Sequence, residues 1–172
     1  RRRFAVRLVL LIYVLSLVEG PLRKWFLPGL ATPIYFLRDP FLMVLYAYAL
    51  QHRLFAWGRL GRVWLVFAVA SSLVGFLPFG IYGLDPLGWI LGVRTYWVYL
   101  PLAFVVAGTF GRDDVERVLR WNILLAVPYA LLVATQYNAG PDAWINRGVA
   151  GDEEAAVGVA EAIVRPFGLF TY

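Results

Sequence analysis

The chain of 172 residues contains no cysteine, one histidine and one methionine. Without thiols there is no disulfide, no thiolate metal site and no cysteine nucleophile. A single imidazole, at His52, leaves no histidine cluster to hold a metal. Charge is scarce too. Only 16% of residues are Asp, Glu, Lys or Arg, against about 25% in an ordinary soluble domain. It is also unevenly spread: the stretches 63–84, 95–111 and 121–141 carry none. A water-soluble domain of this size must clothe itself in polar surface and cannot hide several such runs. The solvent they fit is lipid.

What is abundant agrees. Hydrophobic residues make up 61% of the chain and aromatics 17%, with seven Trp and ten Tyr. Trp and Tyr favour membrane–water interfaces, where the ring sits among headgroups and its polar tip reaches water. The net charge of +5 does not point to nucleic acid. The basic residues fall in short groups between apolar runs instead of along one helix face, which is the pattern of membrane topology.

Crossing about 30 Å of hydrocarbon takes about 20 helical residues. Five segments come close: 4–18, 32–50, 63–79, 87–110 and 121–137. The expected fold class is therefore all-α, a polytopic integral membrane bundle of about five helices forming one domain over 1–172. Arg1-Arg2-Arg3 before residues 8–18 has the layout of a signal peptide. The following Glu19-Gly20-Pro21-Leu22-Arg23-Lys24 offers no small-x-small cleavage site, so the first helix is read as retained. Pro128 should kink the last helix.

Positive charge sets the orientation. Arg1 to Arg3, then His52, Arg53, Arg59 and Arg62, then Arg112, Arg117 and Arg120 fall on one side if the chain crosses five times, and that side is cytoplasmic. The opposite loop, 80–88, has Asp85 as its only charge. Arg23 and Lys24 break the pattern. The segment 138–172 is then extracytoplasmic, mostly irregular, with a short interfacial helix expected at 155–164. The chain opens on Arg1 and stops at Tyr172 on the approach to another hydrophobic element, so a fragment of a longer protein is expected.

Charges in or beside apolar runs are the functional candidates, because each needs a reason to be there. In Glu19-Gly20-Pro21-Leu22-Arg23-Lys24-Trp25, the residues form either an anchoring turn among headgroups or a site where Arg23 and Lys24 attract an anionic lipid head. In Arg38-Asp39-Pro40, the proline breaks the segment. Arg38 and Asp39 either neutralise each other, or form a loop at the membrane surface with the span starting at Pro40, or place a cation on a polar cavity. Arg94 lies a turn or two inside the fourth helix and cannot lose its proton. Its partner is Asp39, Asp85 or a bound phosphate. Arg165 precedes a Gly-containing turn into what reads as another helix, an arrangement that either binds an anion or is an ordinary loop. Around Pro141-Asp142-Ala143-Trp144-Ile145-Asn146-Arg147-Gly148, a packed cap held by Trp144 is expected.

Taken in order, Glu19-Gly20-Pro21-Leu22-Arg23-Lys24-Trp25, Phe36-Leu37-Arg38-Asp39-Pro40, Gly92-Val93-Arg94-Thr95-Tyr96, Pro141 to Gly148, and Arg165-Pro166-Phe167-Gly168-Leu169-Phe170-Thr171 resemble the N-terminal half of bacterial O-antigen ligase/polymerase-like membrane proteins. The resemblance runs through essentially the whole chain. It implies a membrane-embedded C-type glycosyltransferase fold in the bacterial inner membrane, with the N-terminus in the cytoplasm. It implies transfer of an undecaprenyl-diphosphate-linked glycan to lipid A core or to another repeat unit, with no metal or other cofactor. It further implies that arginines hold the donor diphosphate. Arg165 matches the family's Arg-x-x-Gly-x-Phe pattern; Arg94 and Arg38 stand where further contacts would fall. The family often has Thr where Leu169 stands. The catalytic base of such enzymes has no counterpart up to Tyr172 and is expected beyond it.

Two other classes fit the same charges. A secondary transporter would place Arg38, Asp39 and Arg94 at mid-bilayer beside proline-broken helices. A non-catalytic membrane subunit would pair them only with one another.

Overall fold

The structure, a computed structural model, describes residues 1–82, 86–140, 143–148 and 168. Every element among them is helical: α1 (Arg2–Pro21), α2 (Ala31–Tyr35), α3 (Asp39–Gln51), α4 (Gly58–Tyr82), α5 (Pro86–Val93), α6 (Pro101–Thr109) and α7 (Arg112–Asn138). Two π-helical turns, Leu22–Phe26 and Arg94–Val98, follow α1 and α5, and 3-10 turns occupy Pro28–Leu30 and Trp144–Asn146.

Three helices are long and apolar enough to cross a membrane: Arg2–Phe26, Gly58–Pro78 and Arg112–Asn138. They contain the expected segments 4–18 and 121–137, and 63–79 up to Pro78. On the last two of these helices the apolar side chains mostly point outward. On α4, Val66, Phe67, Leu73 and Val74 are each more than 60% exposed, and on α7 so are Ile123, Leu124, Val127 and Leu131. In water such a surface would drive aggregation; in lipid it is the low-energy arrangement.

The other two expected helices are broken. The segment 32–50 becomes α2, a turn at 36–38 and α3, with Asp39 and Pro40 opening α3. Proline suits the first turn of a helix, where its missing N–H would have no partner, and it disfavours helix in the residue before it. The segment 87–110 becomes α5, the π turn at Arg94, and α6, which starts on Pro101.

The last helix starts earlier than expected, at Arg112, so the charged residues read as a loop form its first turns. Asp113 and Asp114 complement the helix dipole there, and Asp114 accepts the Gly111 N–H at 3.0 Å. Glu116 pairs with Arg112 at 2.8 Å and Arg120 at 3.7 Å along the helix. Charges keep these turns out of lipid without stopping the helix. The helix also runs on unbroken through Pro128.

The chain divides into two compact units. The first, Arg1–Val9 with Leu42–Phe110, is centred on Ala5, Leu42, Leu45, Ala49 and Val105, all fully buried. Leu42, Leu45 and Ala49 recur at helical spacing and share one face of α3. A run of aromatic contacts links Tyr46, Phe55, Trp57, Phe104, Trp64 and Trp97, with ring centroids 5.0–6.4 Å apart. Residues 54–56 lie flat on α6: Ala56 N–H donates to Phe104 O at 3.1 Å, and a Cβ on Gly108 would collide with the Leu54 carbonyl.

The second unit, Leu10–Phe41 with Gly111–Tyr172, is built on α7 and the later part of α1. Tyr13 on α1 donates to Asn122 Oδ1 on α7 at 2.7 Å. Its buried residues include Ile12, Ala31 and Ile34, together with an unusual polar set: Glu19, Lys24, Gln136 and Asn146.

Candidate functional site

The charged half of the polar set in the second unit, Glu19 and Lys24, lies where α1 ends. Gly20 and Pro21 close the helix, and the chain winds into the wider π turn carrying Arg23, Lys24 and Trp25. It then folds back through Pro28–Leu30 and α2, so that the turn at 36–38 brings Arg38 next to α1.

Glu19 is the hub. Only 5% of it is exposed. Its Oε2 lies 2.6 Å from Arg38 Nε, and its Oε1 lies 3.4 Å from Arg23 Nη1, one helical turn on. Arg23 is held a second way, donating from Nε to the Ala31 carbonyl at 3.0 Å. Its guanidinium carbon also sits 4.8 Å from the centre of the Tyr35 ring. Lys24, next in sequence, is 2% exposed. Its ammonium stands 5.1 Å from the Trp25 ring centre, and Trp25 stacks on Trp144 at 5.8 Å. One carboxylate thus pairs with two cations, and a third, Lys24, is buried on the same turn. Counting Asp39 beside Arg38, positive charge exceeds negative by one among the described residues of this cluster. A low-dielectric setting makes such an excess a strong attractor for anions.

The sequence grouped Glu19 with Arg23 and Lys24 but offered Asp39 as the partner of Arg38. The structure puts Glu19 in contact with Arg38, and Asp39 becomes the first residue of α3, where a carboxylate favours helix initiation.

Arg94 belongs to the first unit. It opens the π turn after α5, is 8% exposed, and donates from Nη2 to the Tyr99 hydroxyl at 3.2 Å. Its guanidinium carbon is 5.6 Å from the Tyr99 ring centre. Arg165 and Asp85 lie outside the described residues, as does the helix expected at 155–164.

Gly168, three residues after Arg165, is described, and it exposes a network that sequence reasoning missed. Gln136, wholly buried on the last turn of α7, accepts the Gly168 N–H at Oε1 (2.9 Å). It donates from Nε2 to the Ile145 carbonyl at 3.0 Å and the Gly168 carbonyl at 3.4 Å. Asn146 caps the same helix end, donating to the carbonyls of Gln136 and Gly140 at 3.0 Å and Ala139 at 3.4 Å. Asn146, not Trp144, holds the cap: Trp144 is 61% exposed. Gln136, an uncharged polar residue near the end of a long apolar run, was the signal available.

A groove of about 430 Å³ runs between α1 and α7, lined by Tyr13, Leu17, Asn122, Leu125, Pro128 and Tyr129 among others. Among the described residues no group of three His, Cys, Asp or Glu side chains stands close enough to hold a metal ion. Comparison with protein-family models, with curated proteins and with solved structures returns no match.

Proposed function

We propose that this chain belongs to a membrane glycosyltransferase that ligates or polymerises undecaprenyl-diphosphate-linked glycans at the periplasmic face of the bacterial inner membrane. The observation that carries the reading is the meeting of Arg23 and Arg38 on the buried carboxylate of Glu19, with Lys24 buried alongside. It supports the family resemblance borne by those same residues.

In this reading the broken stretches 31–51 and 86–109 complete five crossings, and the N-terminus is cytoplasmic. The acceptor hydroxyl attacks the anomeric carbon of the donor. A C–O bond forms, the bond to the diphosphate breaks, and the hydroxyl proton passes to a general base. The leaving diphosphate gains negative charge. Preorganised guanidiniums, bidentate and permanently charged, lower that cost. Arg38, Arg94 and Arg165 are assigned to the diphosphate, and Arg23 and Lys24 to lipid headgroups. The acceptor is lipid A core or another repeat unit, and no cofactor is required.

The test is transfer from a polyprenyl-diphosphate-linked oligosaccharide by the full-length protein. Arg38→Gln should reduce the rate by about a hundredfold or more, the scale of losing one transition-state cation, with membrane insertion retained. Unchanged transfer overturns the assignment.

The 2.6 Å Glu19–Arg38 contact also favours a second reading, a non-catalytic membrane subunit whose charges only neutralise one another. There the double variant Glu19→Gln/Arg38→Gln should keep all function, whereas the glycosyltransferase reading requires it to lose transfer.

A further inference from the structure

Lys24 is the only lysine among sixteen basic residues, and it is among the most buried side chains in the molecule, 2% exposed. It makes no hydrogen bond or ion pair among the described residues; its recorded contact is the Trp25 ring, 5.1 Å from its ammonium. Glu19, the nearest carboxylate in sequence, is engaged by Arg23 and Arg38. The indole N–H of Trp25 is buried as well, and it has no acceptor among the described residues. Two strong donors, one of them charged, therefore stand on adjacent residues, the ammonium 5.1 Å from the indole ring centre, with no acceptor for either among the described residues.

Buried donors are normally satisfied, and a buried ammonium needs a counter-charge more than any other group. Attraction to an indole face offsets only part of its lost hydration. The missing component is an acceptor that is anionic, has more than one oxygen, and is small enough to reach both groups. We propose that Lys24 and the Trp25 indole N–H form an oxyanion subsite that takes a phosphate group, one oxygen accepting from Nζ and another from Nε1.

Position narrows the source. The subsite lies in the turn Leu22–Phe26, at the end of a helix long enough to span a bilayer. That is the depth of lipid phosphates. Trp144, exposed and stacked on Trp25, gives the subsite an aromatic edge of the kind found among headgroups. A phosphate borne by a lipid and free phosphate both satisfy the chemistry. The subsite does not depend on glycan transfer: it would hold a headgroup phosphate whether or not the protein is an enzyme.

The test is binding to the full-length protein in detergent with three probes: inorganic phosphate, dihexanoyl phosphatidylglycerol, and dihexanoylglycerol, which lacks phosphate. The phosphatidylglycerol should bind and the dihexanoylglycerol should not. Lys24→Met should weaken binding by about tenfold or more, and Trp25→Phe by about fivefold, the range of a charged and a neutral hydrogen bond. Trp25→Phe removes one N–H and keeps a ring for the stack, so it reads the subsite even if Lys24→Met fails to fold. Competition by inorganic phosphate assigns the site to the free anion; its absence assigns the site to a lipid-borne phosphate. Equal binding of the two lipids, or binding unaltered by Trp25→Phe, overturns the proposal.

Discussion

The carboxamide of Gln136 closes on the backbone of Gly168 from both sides, accepting its N–H at 2.9 Å and donating to its carbonyl at 3.4 Å. A third bond, to the Ile145 carbonyl at 3.0 Å, ties a second segment to the same side chain. One residue on the last turn of α7 thus ties Gly168 and the 3-10 turn Trp144–Asn146 to the same helix end.

Gln136→Leu keeps the approximate volume and removes all three bonds. It leaves a buried N–H and two carbonyls without this partner, at a cost of about 2–4 kcal/mol. Hydrogen exchange at the Gly168 amide should rise by two orders of magnitude or more, while the middle of α7 stays protected.

Gly168→Ala should be damaging for two separate reasons. Its φ of +60° suits glycine, and a Cβ would collide with the Tyr129 hydroxyl and stand 2.7 Å from Cζ of the same ring. A loss of about 1–3 kcal/mol is expected, read as a lower Tm. Tyr129→Phe should restore only part of it, because the ring carbon and the backbone strain remain.

Glu19→Gln should destabilise by about 3–5 kcal/mol, because it strips the shared counter-charge from Arg23 and Arg38 in a mostly buried site. Adding Arg38→Gln should recover a substantial part. A double-mutant cycle by thermal unfolding in detergent measures the coupling; strictly additive effects would contradict the Glu19–Arg38 contact.

If the chain is the glycosyltransferase proposed above, Arg94→Glu should abolish transfer in the full-length protein. Arg94→Lys should still lose most of it, because an ammonium lacks the planar fork that can serve both Tyr99 and a phosphate. Protein level and insertion, followed by protease protection, should match the parent.

The long apolar helices were legible because lipid exposure requires little more than length and freedom from charge, which 63–79 and 121–137 display directly. The break before α3 was legible at Pro40. The break before α6 was not, although Pro101 marks it, because no charge draws attention to that proline and the surrounding run is uninterrupted. The start of α7 was placed nine residues late, because charge was taken as the end of a helix when it ends only the lipid-facing part. The partner of Arg38 was out of reach. That Glu19 reaches Arg38 depends on how the chain folds back after α1, a tertiary event with no local signature. The solitary lysine among arginines was there to be noticed, and it marks the most buried cation of the cluster.

The stacking of Trp25 on Trp144 has a consequence for counting. Trp25 follows the end of α1, and Trp144 follows the end of α7. Once both helices span the bilayer, their exits share one leaflet and they run in the same direction. The chain between Phe26 and Arg112 must then traverse an odd number of times: once, by α4 alone, or three times, with the two broken stretches also passing through. The total is three or five; an even tally would separate the two indoles by the thickness of the membrane.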